Sequence, residues 1–226
     1  MAAAPPTLEW ERELAAQGYQ VVAGCDEVGR GSLAGPVSVG VVVIHSATAS
    51  ELPGVKDSKL LGGPVRQALV PAIREWAPAS AVGHASAAEI DAVGLVAALR
   101  LAGSRALLQA AAVLSPDFVI LDGNQDWLSE PGPDLFAAAS APAGPFGGSP
   151  APWRIRTRIK ADLTCLSVAA ASVLAKVERD AIMTGLAAEC PSFGWDANMG
   201  YGTAAHRAAI ARLGPTDHHR KSWRLV

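Results

Sequence analysis

Asp26 and Glu27 stand side by side in "AGCDEVGRGSLAG" (23–35), and a glycine pattern, Gly29-Arg30-Gly31, begins two residues later. Carboxylates hold cations. Glycine-rich turns let backbone amides approach a sugar-phosphate closely, because no Cβ intrudes. The two features cooperate only if a cation sits between acid and phosphate. Mg²⁺ and Mn²⁺ take hard oxygen ligands and share them with substrate phosphate. Further ligands should come from other strand ends. Asp122 closes "FVILD" as Asp26 closes "VVAGCD", and Asp162 opens a long helical stretch. By itself Asp162 would read as an ordinary acid at a helix N-terminus. Glu27 is one residue past Asp26, and successive strand side chains point to opposite faces. It joins the site only if the chain is already turning there.

The turn 29–34 also scores as G-x-G-x-x-A, a variant of the dinucleotide fingerprint. That motif requires a strand before it and a helix after it, so that the helix N-terminus holds the pyrophosphate. Here Pro36 and the β-branched run "VSVGVVVI" (37–44) follow. The context is strand–turn–strand, which argues against a dinucleotide cofactor.

The elements that must position these residues are legible as follows. A short acidic helix covers 8–17. Strands are expected over 20–26, 37–44, 80–86, 117–123 and 153–160. Helices are expected over 64–76, with Pro71 as a possible break, and over 87–114, interrupted near Gly94. The stretch 163–189 reads as one long helix. A last helix, 203–214, is closed by Gly214-Pro215. In "WRIRTRIK" (153–160), Arg154, Arg156, Arg158 and Lys160 recur at period two and should share one face of a strand. Residues 124–152 are Pro/Gly/Ala/Ser-rich without periodicity and read as a flexible surface insertion. Three strands in succession followed by helical crossovers imply an α/β fold with a mixed five-stranded sheet flanked by helices.

The chain has 226 residues, half of them apolar, which suits one sizeable domain with a small appendage. Its net charge of −2 is divided unevenly. Residues 1–153 carry 8 Lys and Arg against 15 Asp and Glu, and residues 154–226 carry 11 against 6. An acidic front and a basic back suit a protein that binds cations with one part and a polyanion with another. No apolar run reaches the roughly 18–20 residues that span a bilayer. Cys25, Cys165 and Cys190 are odd in number and widely spaced, so neither a disulfide framework nor a zinc site is expected. The expectation is a cytoplasmic, monomeric protein with no membrane partner.

Six segments together resemble ribonuclease HII: "DEVGRGSLAGP" (26–36), "DSKLL" (57–61), "LDGN" (121–124), "KADLTCLSVAAASVLAKVERD" (160–180), "GYGTAAH" (200–206) and "GPTDHHRKSW" (214–223). They fall in the family's order and span nearly the whole chain. The resemblance implies an RNase H-like catalytic domain over 1–190 and a C-terminal helical segment over 191–226 that completes the substrate site. It implies an endonuclease that cuts the RNA strand of RNA–DNA hybrids and nicks 5′ of ribonucleotides embedded in duplex DNA. The family's metal-binding acids match Asp26, Glu27, Asp122 and Asp162. Its Gly-Arg-Gly motif, which contacts the ribose 2′-OH, matches Gly29, Arg30 and Gly31, and its junction-sensing tyrosine matches Tyr201. The chain departs in two places: the Asp122–Asp162 spacing is longer than is common, and Trp223 stands where Phe is typical.

The chemistry so implied is phosphodiester hydrolysis by two Mn²⁺ or Mg²⁺ ions about 3.5–4 Å apart, leaving 3′-hydroxyl and 5′-phosphate ends. Phosphate contacts are expected from Lys59 and Lys176, and also from Arg179, Arg220 and Lys221. The alternative is an RNase H-like module that grips nucleic acid without cutting it. A missing carboxylate would mark that case, and all four positions are filled.

Overall fold

The structure, a computed structural model, describes residues 4–129 and 153–226. Five strands form one sheet in the order β3-β2-β1-β4-β5. They are β1 (Val21–Val28), β2 (Val37–His45), β3 (Ala79–Ala85), β4 (Phe118–Asp122) and β5 (Arg154–Arg158). β1, β2 and β3 pair antiparallel, while β1–β4 and β4–β5 pair parallel. The mixed sheet expected from the sequence is therefore present, and β1 is the strand at which pairing switches sense.

Alternation along β1 separates the two faces. Ala23 and Cys25 enter the core under α4 (Leu95–Ala111), with Val39, Val41 and Leu121. Val22 faces the other side, with Phe118, Ile120 and Val168 of α6 (Leu166–Glu189). Small residues bring α6 onto the sheet. A Cβ added at Gly40 would strike the Ala171 carbonyl oxygen, and one at Gly24 would strike the Ser167 backbone. Overpacking of that kind costs on the order of 1–3 kcal/mol. The run Ala169–Ala171 thus sets how closely α6 lies on β2 and on β1, the strand that carries Asp26.

Four expectations change in detail. The stretch 163–189 is two helices, because α5 (Ala161–Thr164) is a separate turn and Cys165 is extended between it and α6. The reason is the N-terminal segment. Thr7 donates to the Thr164 carbonyl at 3.1 Å and accepts from the Leu166 amide at 2.9 Å, which wedges a β-bridge into the break. In α2 (Gly63–Trp76) Pro71 leaves the helix unbroken, since it lies on the exposed face, where the carbonyl it fails to bond meets water. Strand β5 ends at Arg158, so Lys160 leaves the arginine face and takes a left-handed conformation (φ 59°) before α5. The insertion expected over 124–152 starts later than its composition suggested. Trp127 and Leu128 are buried in the core against Gly103 of α4, and residues 130–152 lie outside the described set.

The C-terminal residues form a third packing unit. The turn α7 (Trp195–Asn198) and helix α8 (Ala204–Leu213) enclose Phe193, Trp195 and Ile210 together with Leu33, Ala34 and Met183. This unit docks directly on the glycine turn that follows β1.

Candidate active site

Asp26 and Asp122 occupy neighbouring parallel strand ends. Cys25 pairs with Leu121, so the next residue along each strand is an aspartate. Both belong to the face that packs on α6. The α5 turn brings Asp162 to the same end. Asp122 Oδ1 accepts from the amides of Ala161 (2.7 Å) and Asp162 (3.3 Å), which ties the turn to β4. The left-handed Lys160 lets the chain double back from β5 onto Asp122.

Glu27 corrects one expectation. The chain is not yet turning there, because β1 continues through Val28 and Glu27 pairs with Val39. Its side chain leaves the opposite face of the strand end, yet its charge is the largest acting on Asp26 after burial, so Glu27 reaches the other acids without a turn of the chain. It still lies close enough to matter: burial pushes the Asp26 carboxyl well above its ordinary range, and Glu27, Asp122 and Asp162 add to the push. Burial likewise raises Glu27, with Asp122 adding to it and Arg30 opposing it. Asp122 is raised by burial and then by Asp162, against the pull of the two amides. Four carboxylates are crowded at one sheet end with too little positive charge to balance them.

Two cations face them. Lys59 Nζ lies 3.2 Å from Asp162 Oδ2 and 3.9 Å from Asp57 Oδ1. Burial works against the Lys59 charge, but Asp57, Asp162 and Asp26 outweigh it and hold the ammonium above its ordinary range. Arg30 Nη1 lies 3.3 Å from Glu27 Oε1, and Arg30 Nη2 donates to Gln125 Oε1 at 3.4 Å. Among the described residues, no three His, Cys, Asp or Glu side chains are gathered closely enough to hold a metal. The donor set nonetheless fits a hard divalent cation. It is all carboxylate oxygen, and Glu27 Oε2 is buried without a hydrogen-bond partner.

The glycine turn adjoins the acids. Gly29 has φ 83° and is buried, while Arg30 and Gly31 are exposed. Tyr201 sits opposite on its own turn, 38% exposed, joined to the glycine turn by the Gly200 carbonyl, which accepts from Leu33 (2.7 Å) and Ala34 (3.2 Å). Lys176 stands apart: it pairs with Asp180 at 2.6 Å and makes no hydrogen bond or ion pair with the four acids. Arg179 and Arg220, expected as phosphate contacts, are instead fully buried. Of the β5 arginines, Arg156 lies over the Phe118 ring and Arg158 over Trp10.

Sequence reasoning missed Asp57. It is buried and caps the short 3₁₀ turn Ser58–Leu60 by accepting from the Lys59 amide at 3.0 Å. Its place two residues before Lys59 in "DSKLL" was the available signal.

A mixed sheet whose parallel and antiparallel halves meet at an acid-tipped strand, with helices on both faces, defines an RNase H-like α/β enzyme. The family model described as Ribonuclease HII matches residues 23–226. Ribonuclease HII of Streptomyces avermitilis is 46% identical over 220 residues, covering 97% of this chain and 84% of the relative. That of Roseiflexus castenholzii is 42% identical, covering 99% and 91%. Among solved structures, ribonuclease H2 from Pyrococcus horikoshii OT3 superposes with a TM-score of 0.68 at 25% identity, over 91% of this chain and 94% of that one. The PCNA:RNase HII complex from Archaeoglobus fulgidus gives 0.63 at 26% identity, over 90% and 95%. Bst-RNase HIII, solved in complex with Mn²⁺, gives 0.67 at 20% identity, over 92% and 68%, and speaks to the fold alone. The chain belongs to the ribonuclease HII family. It is thereby a metal-dependent endonuclease of the ribonuclease H class, with activity on RNA–DNA hybrids.

Proposed function

We propose that the chain also nicks 5′ of single ribonucleotides embedded in duplex DNA, and so serves both ribonucleotide removal and RNA primer processing. The observation that carries this reading is one continuous piece of chain. Asp26 and Glu27 lie in the last three residues of β1, and the exposed Arg30-Gly31 turn begins three residues after Glu27. A phosphate held at the acids has its own sugar beside that turn.

Asp26, Glu27, Asp122 and Asp162 would hold two Mn²⁺ or Mg²⁺ ions when substrate is present. Such ions would supply charge neutralisation at the scissile phosphate and a nucleophilic water near neutral pH. The chain's own groups do the rest. Gly29, Arg30 and Gly31 bring backbone groups against the ribose 2′-OH, the only local mark that separates RNA from DNA sugar. Tyr201 stacks on the neighbouring deoxyribose, where a 2′-OH would crowd it. Lys59 lies at the phosphate beside Asp162, and Lys176 reaches a phosphate further along. The exposed arginines of β5 add salt-dependent affinity for the backbone. Products leave with 3′-hydroxyl and 5′-phosphate ends. The protein works as a monomer in the cytoplasm.

The test is a duplex DNA holding one ribonucleotide, incubated with the protein and Mn²⁺ or Mg²⁺. A single nick 5′ of the ribonucleotide is expected. Absence of that nick, with hybrid cleavage intact, would remove the embedded-ribonucleotide activity from the reading.

A further inference from the structure

Arg179 of α6 and Arg220 of the C-terminal segment are fully buried, yet neither is in an ion pair with a described carboxylate. Buried charges are ordinarily paired with opposite charge. These two are paired with backbone carbonyls instead, nearly all from one turn. Arg220 donates through Nη2 to the Gly29 carbonyl (2.7 Å), through Nη1 to that of Arg30 (2.9 Å), and through Nε and Nη2 to that of Gly35 (3.3 and 3.2 Å). Arg179 donates through Nε to the Pro36 carbonyl (2.9 Å) and through Nη2 to Ser32 Oγ (2.7 Å) and the Ala34 carbonyl (3.3 Å). Its Nη1 reaches across to the Met199 carbonyl at 3.0 Å, two residues before Tyr201, and its guanidinium lies 5.7 Å from the Tyr201 ring centroid.

We propose that Arg179 and Arg220 are positioning residues that lock the glycine turn and the Tyr201 turn into one rigid reader of the sugar beside the cut. The inference rests on the reading of those turns given above. Two consequences follow from the geometry. The guanidinium groups draw the turn's carbonyls inward, while the amides of the exposed Arg30 and Gly31 make no hydrogen bond among the described residues. The turn therefore offers the free amides of Arg30 and Gly31 as donors to a 2′-OH or phosphate oxygen. Since the acceptors are neutral, both positive charges also persist behind the turn, where they favour an anion in front of it. The fit is specific. A Cβ at Gly29 would overlap Arg179 Nε, and one at Gly200 would overlap the Ala34 carbonyl oxygen. Lysine cannot replace either arginine, because three donors on one nitrogen cannot span acceptors that a planar fork reaches separately.

The test pairs hydrogen exchange with cleavage kinetics on the full chain carrying Arg179→Lys. The amides of Leu33, Ala34, Gly35 and Thr203 should exchange at least about tenfold faster, with the amides of Ala23 and Ile120 unchanged. The kcat at a single-ribonucleotide junction should fall about tenfold to a hundredfold, with KM within about threefold, as expected for a displaced rather than a lost contact. Combining Arg179→Lys with Tyr201→Ala should cost less than the product of the two separate losses, because each disables the same unit. Unchanged exchange at residues 33–35 and 203, or losses that simply multiply, would overturn the proposal. If Arg179→Lys does not fold, Ser32→Ala strips one acceptor from the clamp and should still speed exchange at Leu33 to Gly35 about threefold, and no change there is equally fatal. A wild-type protein that leaves the junction duplex uncut would defeat the reading of the turns, while the exchange result would still decide whether the clamp exists.

Discussion

Two adjoining regions handle buried charge in opposite ways. At the acid centre, Asp26, Glu27 and Asp122 are all pushed toward protonation by burial and by one another, and Glu27 Oε2 has no partner. Behind the glycine turn, Arg179 and Arg220 are buried more deeply still, yet are bonded to carbonyls and the Ser32 hydroxyl. The first region is left unfinished by the protein, and in the proposed function metal ions complete it. The second is finished by the protein and keeps its shape without them. In the proposed function the site both takes up cations and tells one sugar from another, and the first arrangement serves charge while the second serves geometry.

The hardest test of that division is Asp26→Asn. It keeps the side chain's shape and removes one charge from the crowded centre. Cleavage should fall by about a hundredfold to a thousandfold, the range seen when a single preorganised charge-stabilising group is lost. Hybrid affinity, measured without cleavage, should stay within a few-fold, because the turn and the basic strand are untouched. Normal cutting by this variant would show that the acids are not the cation site.

Metal-linked stability comes next in size. The raised carboxyls mean that the folded metal-free protein binds protons more tightly than the unfolded chain. Their contribution to stability is present below the ordinary carboxylate range and is lost as pH rises through the raised folded-state values. The metal-free protein should therefore melt at progressively lower temperature as pH goes from about 4 toward neutrality, in the sense that linkage requires. Mn²⁺ should reverse the loss, by about 2.7 kcal/mol at a hundredfold excess over its Kd, and at one fixed Mn²⁺ concentration the gain should be larger at pH 8 than at pH 5, where protons compete for the carboxylates. Thermal melts with and without Mn²⁺ at both pH values check this. A metal shift that does not grow with pH would contradict the crowding. Asp26→Asn should flatten the dependence, whereas a clamp variant should not.

A smaller effect belongs to the reading surface. Tyr201→Ala should lower cleavage at a DNA–RNA junction by about tenfold, in the range of one lost aromatic stack. Cleavage inside a continuous hybrid should fall less. Equal losses on both substrates would make Tyr201 a packing residue of the C-terminal unit and not a sensor.

How far the sequence revealed this division depends on which interactions are local. The strand-end acids were legible because β-branched runs stop at Asp26 and Asp122, and the mixed sheet followed from the order of strands and helices. The switch at Asp162 from helix start to separate turn was not legible, since its cause is Thr7, more than 150 residues away in sequence. Arg179 and Arg220 were misread for a related reason. An arginine in sequence suggests a phosphate contact, and only the fold shows that carbonyls surround it. One local clue existed. Val168, Ser172, Ala175, Arg179 and Met183 recur at helical spacing, and all are buried. A charged residue in register with a buried stripe already pointed to an internal role.

Glu11 gives the finest comparison, because it is a buried carboxylate without a crowd. Its Oε1 accepts from the Ser167 amide (3.0 Å) and hydroxyl (2.7 Å) at the start of α6, so it caps that helix from α1 (Glu9–Ala16). Burial raises its pKa, and the two Ser167 bonds pull against that, with Glu51 a minor addition. If burial alone made the acid centre unstable, Glu11 should behave like Asp26. If crowding does, it should not. Glu11→Gln preserves an acceptor for Ser167 and removes only the charge. Its raised folded-state pKa means that the charge costs stability above the ordinary glutamate range, so the glutamine form should be equal or slightly more stable at pH 8, by no more than about 1 kcal/mol. Glu11→Ala loses the cap and should cost about 1–2 kcal/mol at either pH. Denaturant titrations at pH 5 and pH 8 separate the two variants. Neither should change the growth of Mn²⁺ stabilisation with pH, and a Glu11→Gln variant that did so would place part of the proton linkage at the helix cap instead of at the acids.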